Sequence, residues 1–484
     1  GFNRSGTTPS TRFIHNRTVY SQFRQLVTEM DPYRPVSGNM WAEFGPGTLS
    51  DFLDVQGISH PPTTELQAIH AMANPKPLIR SECCSCQSQR GENYRVAPPT
   101  GPAPPNATDV HYAAFNGDCL QDYVNRTLDL PYVIGSLIWT LGDYLGEPAP
   151  IMWPQVSSAF GSVDLAGFPK AGARWYQAWW LYASQQKNAT GVPTLPAGHV
   201  VHIVESLETT TNVVKLGFIH VFSDAPTVTL YIDGVVLATA HNDVWMGWYE
   251  FAVNASGPPI VSPSAQNITA VATDSSGEVL ATHCRIRPSA AASLELTLDV
   301  PHVSTGTGSL LLLDGHDVAL VRATVRDAKG NVVTDATTLN ITFEVVSGPG
   351  KVLGVGNGDP FDHSPHQVPW RQAYHGLARA VVKVTEDWAT SAYSRTLLQT
   401  IDVEGNSPRS STDPTWAGTA TVVDPAHPPA AGPQSIVIAA RGSIGSSANI
   451  IVSNNLTIPV SVDPDKDGVF AVAATSNHLP ISLD

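Results

Sequence analysis

The chain has 484 residues, 42% hydrophobic and only 14% charged, with 27 basic against 42 acidic side chains for a net charge of −15. That length suits roughly three domains of about 150 residues each, and an acidic surface without a basic stripe argues against a nucleic-acid partner. No run reaches the roughly 18 apolar residues that a membrane span requires.

In chain order, Arg17–Glu29 is predicted to be an amphipathic helix, because Val19, Tyr20, Phe23, Leu26 and Val27 recur at helical spacing. Asp31-Pro32 ends it, and residues 34–41 resume as a strand. A second strand is expected over Asp51–His60, and a helix over Thr63–Ala73, with Leu66, Ile69 and His70 on one face. Lys76-Pro77 then turns the chain into Leu78-Ile79-Arg80-Ser81-Glu82. A short apolar run with a carboxylate directly behind it is how a buried parallel strand delivers an acid to the end of a sheet. After a Pro-rich loop at 97–105 come a helix over His111–Thr127 and a buried strand over Val133–Thr140. Four strands alternating with helices imply βα units and a parallel sheet.

From Gly198 the grammar changes to short alternating strands separated by Gly, Asn, Asp and Pro, which is sandwich patterning. Strands are expected at Val200–Glu205, Val213–Val221, Thr227–Ile232, Trp248–Val253 and Ile268–Thr273. A second set follows at Leu294–Leu298, Val318–Asp327, Leu339–Val346, Ala378–Val384 and Ile436–Ala440, interrupted by a Ser/Pro-rich loop at Gly405–Gly432. The domain boundaries read as 1–190, 191–288, 289–455 with its long loop, and a C-terminal tail at 456–484.

Asn-x-Ser/Thr acceptor sites stand at Asn3, Asn16, Asn106, Asn125, Asn188, Asn254, Asn267, Asn340 and Asn455. Their spread and the low Lys content favour a secreted, extracellular glycoprotein. Cys83, Cys84, Cys86 and Cys119 lie close enough for one or two disulfides, with Cys284 left over; the Cys-Cys-x-Cys cluster as a metal site lacks a His pair at ligand spacing. Gly1–Thr11 is polar and carries no signal segment, so the sequence is expected to begin inside a longer product. Asp463, Asp465 and Asp467 match the first half of a calcium loop, but Ala474 stands where a bidentate Glu is required, so an Asp/Gly turn is the better reading and no cofactor is expected.

Three blocks together resemble glycoside hydrolase family 2, the β-galactosidase-like retaining glycosidases. They are Asp31-Pro32-Tyr33-Arg34-Pro35-Val36; Pro77-Leu78-Ile79-Arg80-Ser81-Glu82; and Ile138-Trp139-Thr140-Leu141-Gly142-Asp143-Tyr144-Leu145-Gly146-Glu147-Pro148, followed by Phe160–Lys170. Asp314–Ala319 and Gly354–Pro360 resemble the family's accessory sandwich. The resemblance implies the C-terminal half of a (β/α)8 TIM barrel (strands five to eight) followed by two immunoglobulin-like β-sandwiches. It implies a carbohydrate substrate and Glu82 as the nucleophile, unless the site has decayed. The family's acid/base Glu belongs to strand four, which precedes this chain, so the other half of the barrel is expected from an upstream segment or a separate chain. Trp139, at the end of the last strand, offers an indole face to a sugar, with core packing as its other reading. His60 stands where the family has a Tyr, and Trp41 follows strand five; both are substrate-contact candidates. Asp143 accepts sugar hydroxyls or fixes a loop, whereas Glu43 and Glu147 read as loop acids. Trp175, Trp179 and Trp180 read as the packed face of the last helix. A second functional reading is a non-catalytic, glycosidase-derived structural or carbohydrate-binding component of an extracellular assembly.

Overall fold

The computed structural model describes residues 17–40, 44–59, 63–73, 76–84, 88–91, 130–148, 152–186, 198–205, 207, 218–241, 247–252, 265–334, 336, 339–385, 399–401, 420–422, 435–444 and 450–461. Trp41, Glu43, His60, Cys86, Cys119, the helix expected at 111–127, Asn3, Asn16, Asn106, Asn125, Asn188, Asn254 and Asp463, Asp465 and Asp467 lie outside the described residues. No described helix is long and apolar enough to cross a membrane.

Helix α1 (Arg17–Met30) leads into β1 (Ser37–Met40) and β2 (Val55–Ser59), then α2 (Thr63–Met72), β3 (Leu78–Cys84), β4 (Val133–Trp139) and α3 (Ala171–Gln186). Strands β1 to β4 pair in sequential order, every ladder parallel, in a half-barrel sheet. Its packed side gathers Met40, Phe44, Leu53, Ile58, Leu66, Ile69, Leu78 and Val133. A Cβ on Gly57 would sit 2.4 Å from the Gly38 carbonyl oxygen, so β1 and β2 can approach this closely only with glycine there. The strand expected to start at Asp51 begins at Val55, because Leu49–Phe52 is a short 3-10 turn capped by Thr48.

Helix α1 is amphipathic as read, yet its apolar stripe is solvent-facing: Val19, Phe23, Leu26, Val27 and Met30 are all exposed, Phe23 by 60%. The bound side carries Arg17, Arg24 and one member of the predicted stripe, Tyr20, whose ring centroid lies 6.4 Å from that of Phe52. Arg17 Nη1 meets Asp51 at 2.6 Å, and the Arg24 guanidinium grips Asp54 through two bonds of 2.6 and 3.0 Å. On α3, Trp175 and Trp179 are buried as their four-residue spacing predicts. Trp180, expected on the same face, is 48% exposed and stacks on Tyr176 instead, since one further residue turns it about 100° around the helix.

A two-sheet unit follows. Strands β5 (Val201–Ile203), β6 (Phe218–Ser223), β7 (Thr227–Ile232), β8 (Val235–His241), β9 (Trp248–Ala252), β10 (Asn267–Thr273) and β11 (Val279–Ile286) form sheets in the orders β5-β6-β9 and β11-β10-β7-β8. Ile203, Ile219, Val221, Tyr249 and Phe251 from one sheet close on Val228, Leu230, Ile268, Ala270 and Ala272 from the other. Residues 1–186, 199–287 and 359–362 make one compact unit; 187–198, 288–358 and 363–484 make the other.

The second unit comprises β12 (Ala291–Val300), β13 (Leu311–Leu312), β14 (Val318–Asp327), β15 (Leu339–Ser347), β16 (Gly350–Gly356), β17 (Trp370–Gln372), β18 (Leu377–Val384), β19 (Gln399–Ile401), β20 (Ala420–Val422), β21 (Ser435–Ile444), β22 (Ile450–Val452) and β23 (Leu456–Ser461). Sheet β12-β14-β18-β16 packs on sheet β13-β23-β21-β15-β17 through Val321, Ala323, Ile341, Phe343, Ile436, Ile438 and Ile458. Two expectations are corrected here. Leu456–Ser461, placed in the C-terminal tail, is a strand between β13 and β21. The loop expected at Gly405–Gly432 contains β20, which pairs with β19. The Gly354–Pro360 segment is tied down by buried Arg371, whose Nε donates to the Val355 carbonyl at 2.7 Å. Of the described acceptor asparagines, Asn455 is exposed, whereas Asn267 and Asn340 lie within strands with buried Oδ1 atoms.

Buried between β6 and β5 is an ion pair. His220 Nδ1 lies 2.5 Å from Glu205 Oε1, and its Nε2 lies 3.6 Å from Glu250. Burial works to lower the His220 pKa, but the charge and hydrogen bond of Glu205, joined by Glu250, outweigh it and carry it up to about 9. A raised histidine pKa stabilises the fold fully below its unfolded value near 6.5 and loses that contribution as pH rises through 9. We therefore expect stability to fall by on the order of 3 kcal/mol between pH 6.5 and alkaline pH. Denaturant unfolding across that range checks it; a His220→Gln variant with the same alkaline slope as the parent would refute the assignment to this residue.

Candidate active site

Because all four strands run the same way, their C-terminal ends share one edge of the sheet, where ligands sit in parallel α/β sheets. Met40, Ser59, Glu82–Cys84 and Trp139 end their strands there. Glu82 is half-buried and stands across the ladder from Ser59, after a register shift between Ile58 and Ser59. The Ser59 hydroxyl donates a short hydrogen bond to Glu82 Oε2. Ser81 donates to Asn39 Oδ1 at 2.8 Å, linking β3 to β1. Cys83 is fully buried and disulfide-bonded, while Cys284 is an exposed free thiol.

Trp139 is the ladder partner of Cys84, two residues on from Glu82. It is 38% exposed, and its peptide bond to Thr140 is cis. The segment behind it is knitted to itself: Ser162 N–H donates to the Thr140 carbonyl at 3.0 Å, Val163 to Leu141 at 2.9 Å, Ser158 to Tyr144 at 2.8 Å and Gly146 to Val156 at 2.9 Å. A Cβ on Gly161 would lie 2.2 Å from the Asp143 amide nitrogen, so this crossing admits only glycine.

Asp143 does not face the open edge. Its side chain is 3% exposed and Lys170 beside it 1%, with a 2.8 Å contact between them; Gly161 N–H donates to Asp143 Oδ1 at 2.8 Å. Burial pushes the Asp143 carboxyl up to about 6, against the pull of the Lys170 charge. Through Lys170 and the Gly161 amide the carboxylate ties together three points of this connection. Lys170 Nζ also donates to the carbonyls of Ser88 at 2.7 Å and Ala159 at 3.3 Å. A second buried pair runs parallel: Arg90 Nε meets Asp164 at 2.6 Å and the guanidinium carbon lies 5.0 Å over the Phe168 ring, while Asp164 Oδ1 accepts from Ala166 and Phe168 amides. Lys170, Arg90 and Asp164 were missed as site-forming residues. The available signal was Lys170 itself, a lone charge between Phe168-Pro169 and Ala171 in a chain poor in charge.

A model described as glycoside hydrolase family 2 C-terminal domain 5 matches residues 307–391. Beta-galactosidase BoGH2A of Bacteroides ovatus is 26% identical over 389 residues, covering 76% of this chain and 41% of its own length. A beta-glycosidase from Bacteroides vulgatus shares the fold with a TM-score of 0.60 at 19% identity, over 92% of this chain and 49% of that one. A glycosyl hydrolase family 2 member from Bacteroides cellulosilyticus does so at 0.57 and 16%, over 95% and 48%. The chain thus spans about two fifths to half of the length of these proteins, and the family resemblance read in the sequence is borne out.

The Lys170 network yields a stability test. Lys170→Met strands the buried Asp143 carboxylate and is expected to cost about 3–5 kcal/mol, with Asp143→Asn added to it restoring part of the loss. Urea unfolding of the two variants decides it; a Lys170→Met protein within about 0.5 kcal/mol of the parent shows that the pair is not structural.

Proposed function

We propose that this chain, a glycoside hydrolase family 2-like protein, carries the nucleophile half of a retaining exo-glycosidase site of the β-galactosidase type. The observation that carries the reading is Glu82 at the C-terminal edge of the parallel sheet, with one oxygen held by Ser59 and with Trp139 ending the next strand. The relatives named beta-galactosidase and beta-glycosidase support the substrate class. In this reading the Glu82 carboxylate attacks the anomeric carbon to form a glycosyl-enzyme, which water then hydrolyses. The chemistry needs no cofactor, only a second carboxyl group about 5–5.5 Å away to protonate the leaving oxygen and then activate water.

We read the four-stranded sheet as strands five to eight of a (β/α)8 barrel, and the two-sheet units as immunoglobulin-like sandwiches. The second carboxylate, with strands one to four, then belongs to polypeptide outside this chain. Two features support that: among the described residues β1 and β4 each pair on one side only, and α1 turns its apolar stripe outward. The spread of acceptor asparagines and the disulfide at Cys83 support a secreted protein.

Glu82→Gln keeps the shape and removes the attacking charge. In the full-length protein, turnover of an aryl β-galactoside is expected to fall by roughly four orders of magnitude or more, following the loss of a covalent nucleophile. A 2-fluoroglycoside inactivator should label Glu82, read by peptide mass mapping. Label on another carboxylate, or no label and no hydrolysis of any aryl β-glycoside, sinks the enzyme reading and leaves the non-catalytic alternative.

A further inference from the structure

The acid read as an ordinary loop residue, Glu147, is the end of a hydrogen-bonded chain that begins at Trp139. The indole N–H of Trp139 donates to the Tyr144 hydroxyl oxygen at 3.3 Å, with the rings edge-on and their centroids 6.1 Å apart. The Tyr144 O–H in turn donates a short bond to Glu147 Oε2. A phenol has one proton, so once it is given to the carboxylate the oxygen is left as an acceptor for the indole, and the polarity of the chain is fixed.

Both partners are themselves held. The Tyr144 amide donates to Ser158 Oγ at 3.1 Å, its carbonyl accepts from Ser158 N–H at 2.8 Å, and its ring tilts against Phe160 at 6.5 Å. Glu147 has φ 45°, a left-handed conformation that non-glycine residues avoid, directly after Gly146 at φ 87°. Such strain persists only where surroundings over-determine it, and it concentrates at ligand-contacting segments. Burial and the neighbouring Glu147 both raise the Tyr144 pKa above its usual value, so the hydroxyl stays protonated at neutral pH. The indole nitrogen is the only polar atom of Trp139's side chain, and fixing it fixes the rotation of the ring about its bond to the strand.

We propose that Tyr144 and Glu147 are positioning residues that set the plane of the Trp139 indole against the C–H face of a bound pyranose, and so set which β-pyranosides the site accepts. The assignment rests on Trp139 lining the sugar site as proposed above. A purely structural role predicts something else, because the 141–163 segment is already closed by its own backbone bonds. Loosening it would lower stability and depress every substrate alike.

The test uses the full-length protein and a panel of aryl β-pyranosides differing at C4 and C6. Tyr144→Phe and Glu147→Ala are expected to lower kcat/KM for the preferred glycoside about tenfold, the upper end of what a hydrogen bond of this kind contributes, and for the poorest by less than about twofold. Glu147→Gln, whose amide oxygen still accepts from Tyr144, should restore the parental ratios. In a Trp139→Ala background, Tyr144→Phe should move the ratios no further. If the parent hydrolyses none of the panel, calorimetric binding of the corresponding monosaccharides replaces kinetics under the same criterion. Equal losses across the panel, or ratio changes that add to those of Trp139→Ala, overturn the positioning role. Fluoroglycoside labelling of Glu82 with unmoved ratios overturns it while the glycosidase reading stands. Moved ratios without labelling uphold it and overturn the nucleophile. A parent that neither binds nor hydrolyses any of the sugars overturns both.

Discussion

The ammonium of Lys170 is the contact on which the candidate site depends. A buried cation is costly unless nearby acceptors replace its water, and here they come from three places: Asp143, the Ser88 carbonyl and the Ala159 carbonyl. Ser88 belongs to the segment leaving β3, whereas Asp143 and Ala159 belong to the long connection leaving β4. One side chain at the foot of α3 therefore fastens together the chain segments that emerge from the strand ends carrying Glu82 and Trp139. Arg90 and Asp164 repeat the arrangement with a guanidinium, which can stack on Phe168 while it pairs. Two buried ion pairs are a poor route to raw stability, but they are a good way to specify one arrangement of two long connections.

How much of this was legible follows from the range of each interaction. Strand β3 could be read from five residues, since a buried parallel strand is a continuous apolar run and Leu78-Ile79 ahead of Glu82 is local information. Strand β14 announced itself by alternation, and its residues do alternate between the core and the outer face. Strands at or near sheet edges were harder: β8 is exposed along most of its length and β16 is broken by Gly354, whose missing side chain admits the His366 carbonyl. Leu456–Ser461 falls in the stretch read as a tail, yet it is paired on both sides despite containing Pro459, a residue that ordinarily argues against a strand.

The site divides the same way. Glu82 and Trp139 stand out in the sequence because each lies at or near the end of an apolar strand run, and because their neighbours resemble those of a known family. Asp143 carries two readings in the sequence for a physical reason: its partner Lys170 is 27 residues away, and nothing local reports that contact. Arg90 and Asp164 are 74 residues apart and were invisible for the same cause. Glu147 differs in kind. Its partner is only three residues away, but the left-handed turn that brings its carboxylate back onto Tyr144 has no sequence signature beyond the glycine before it.

Helix α1 shows where local reading and packing part company. Its periodicity is that of a helix with one buried face, and ordinarily the apolar stripe would be the buried one. Here the face bearing Arg17, Tyr20 and Arg24 touches the body of the unit, through Arg17–Asp51, Arg24–Asp54 and the Tyr20 ring on Phe52, and Val19, Phe23, Leu26, Val27 and Met30 face solvent. Exposed ion pairs contribute little, of order 1 kcal/mol or less each, so these two cannot by themselves outweigh the cost of leaving Phe23, Leu26 and Met30 in water. The apolar stripe is thus held outward by two ion pairs and one aromatic contact. It lies on the helix that leads into β1, whose far side carries no described ladder partner. A parallel sheet whose end strand has no described ladder partner leaves a row of main-chain donors and acceptors along that edge, so the helix stripe and the strand edge are two separate polar and apolar surfaces of the same βα region.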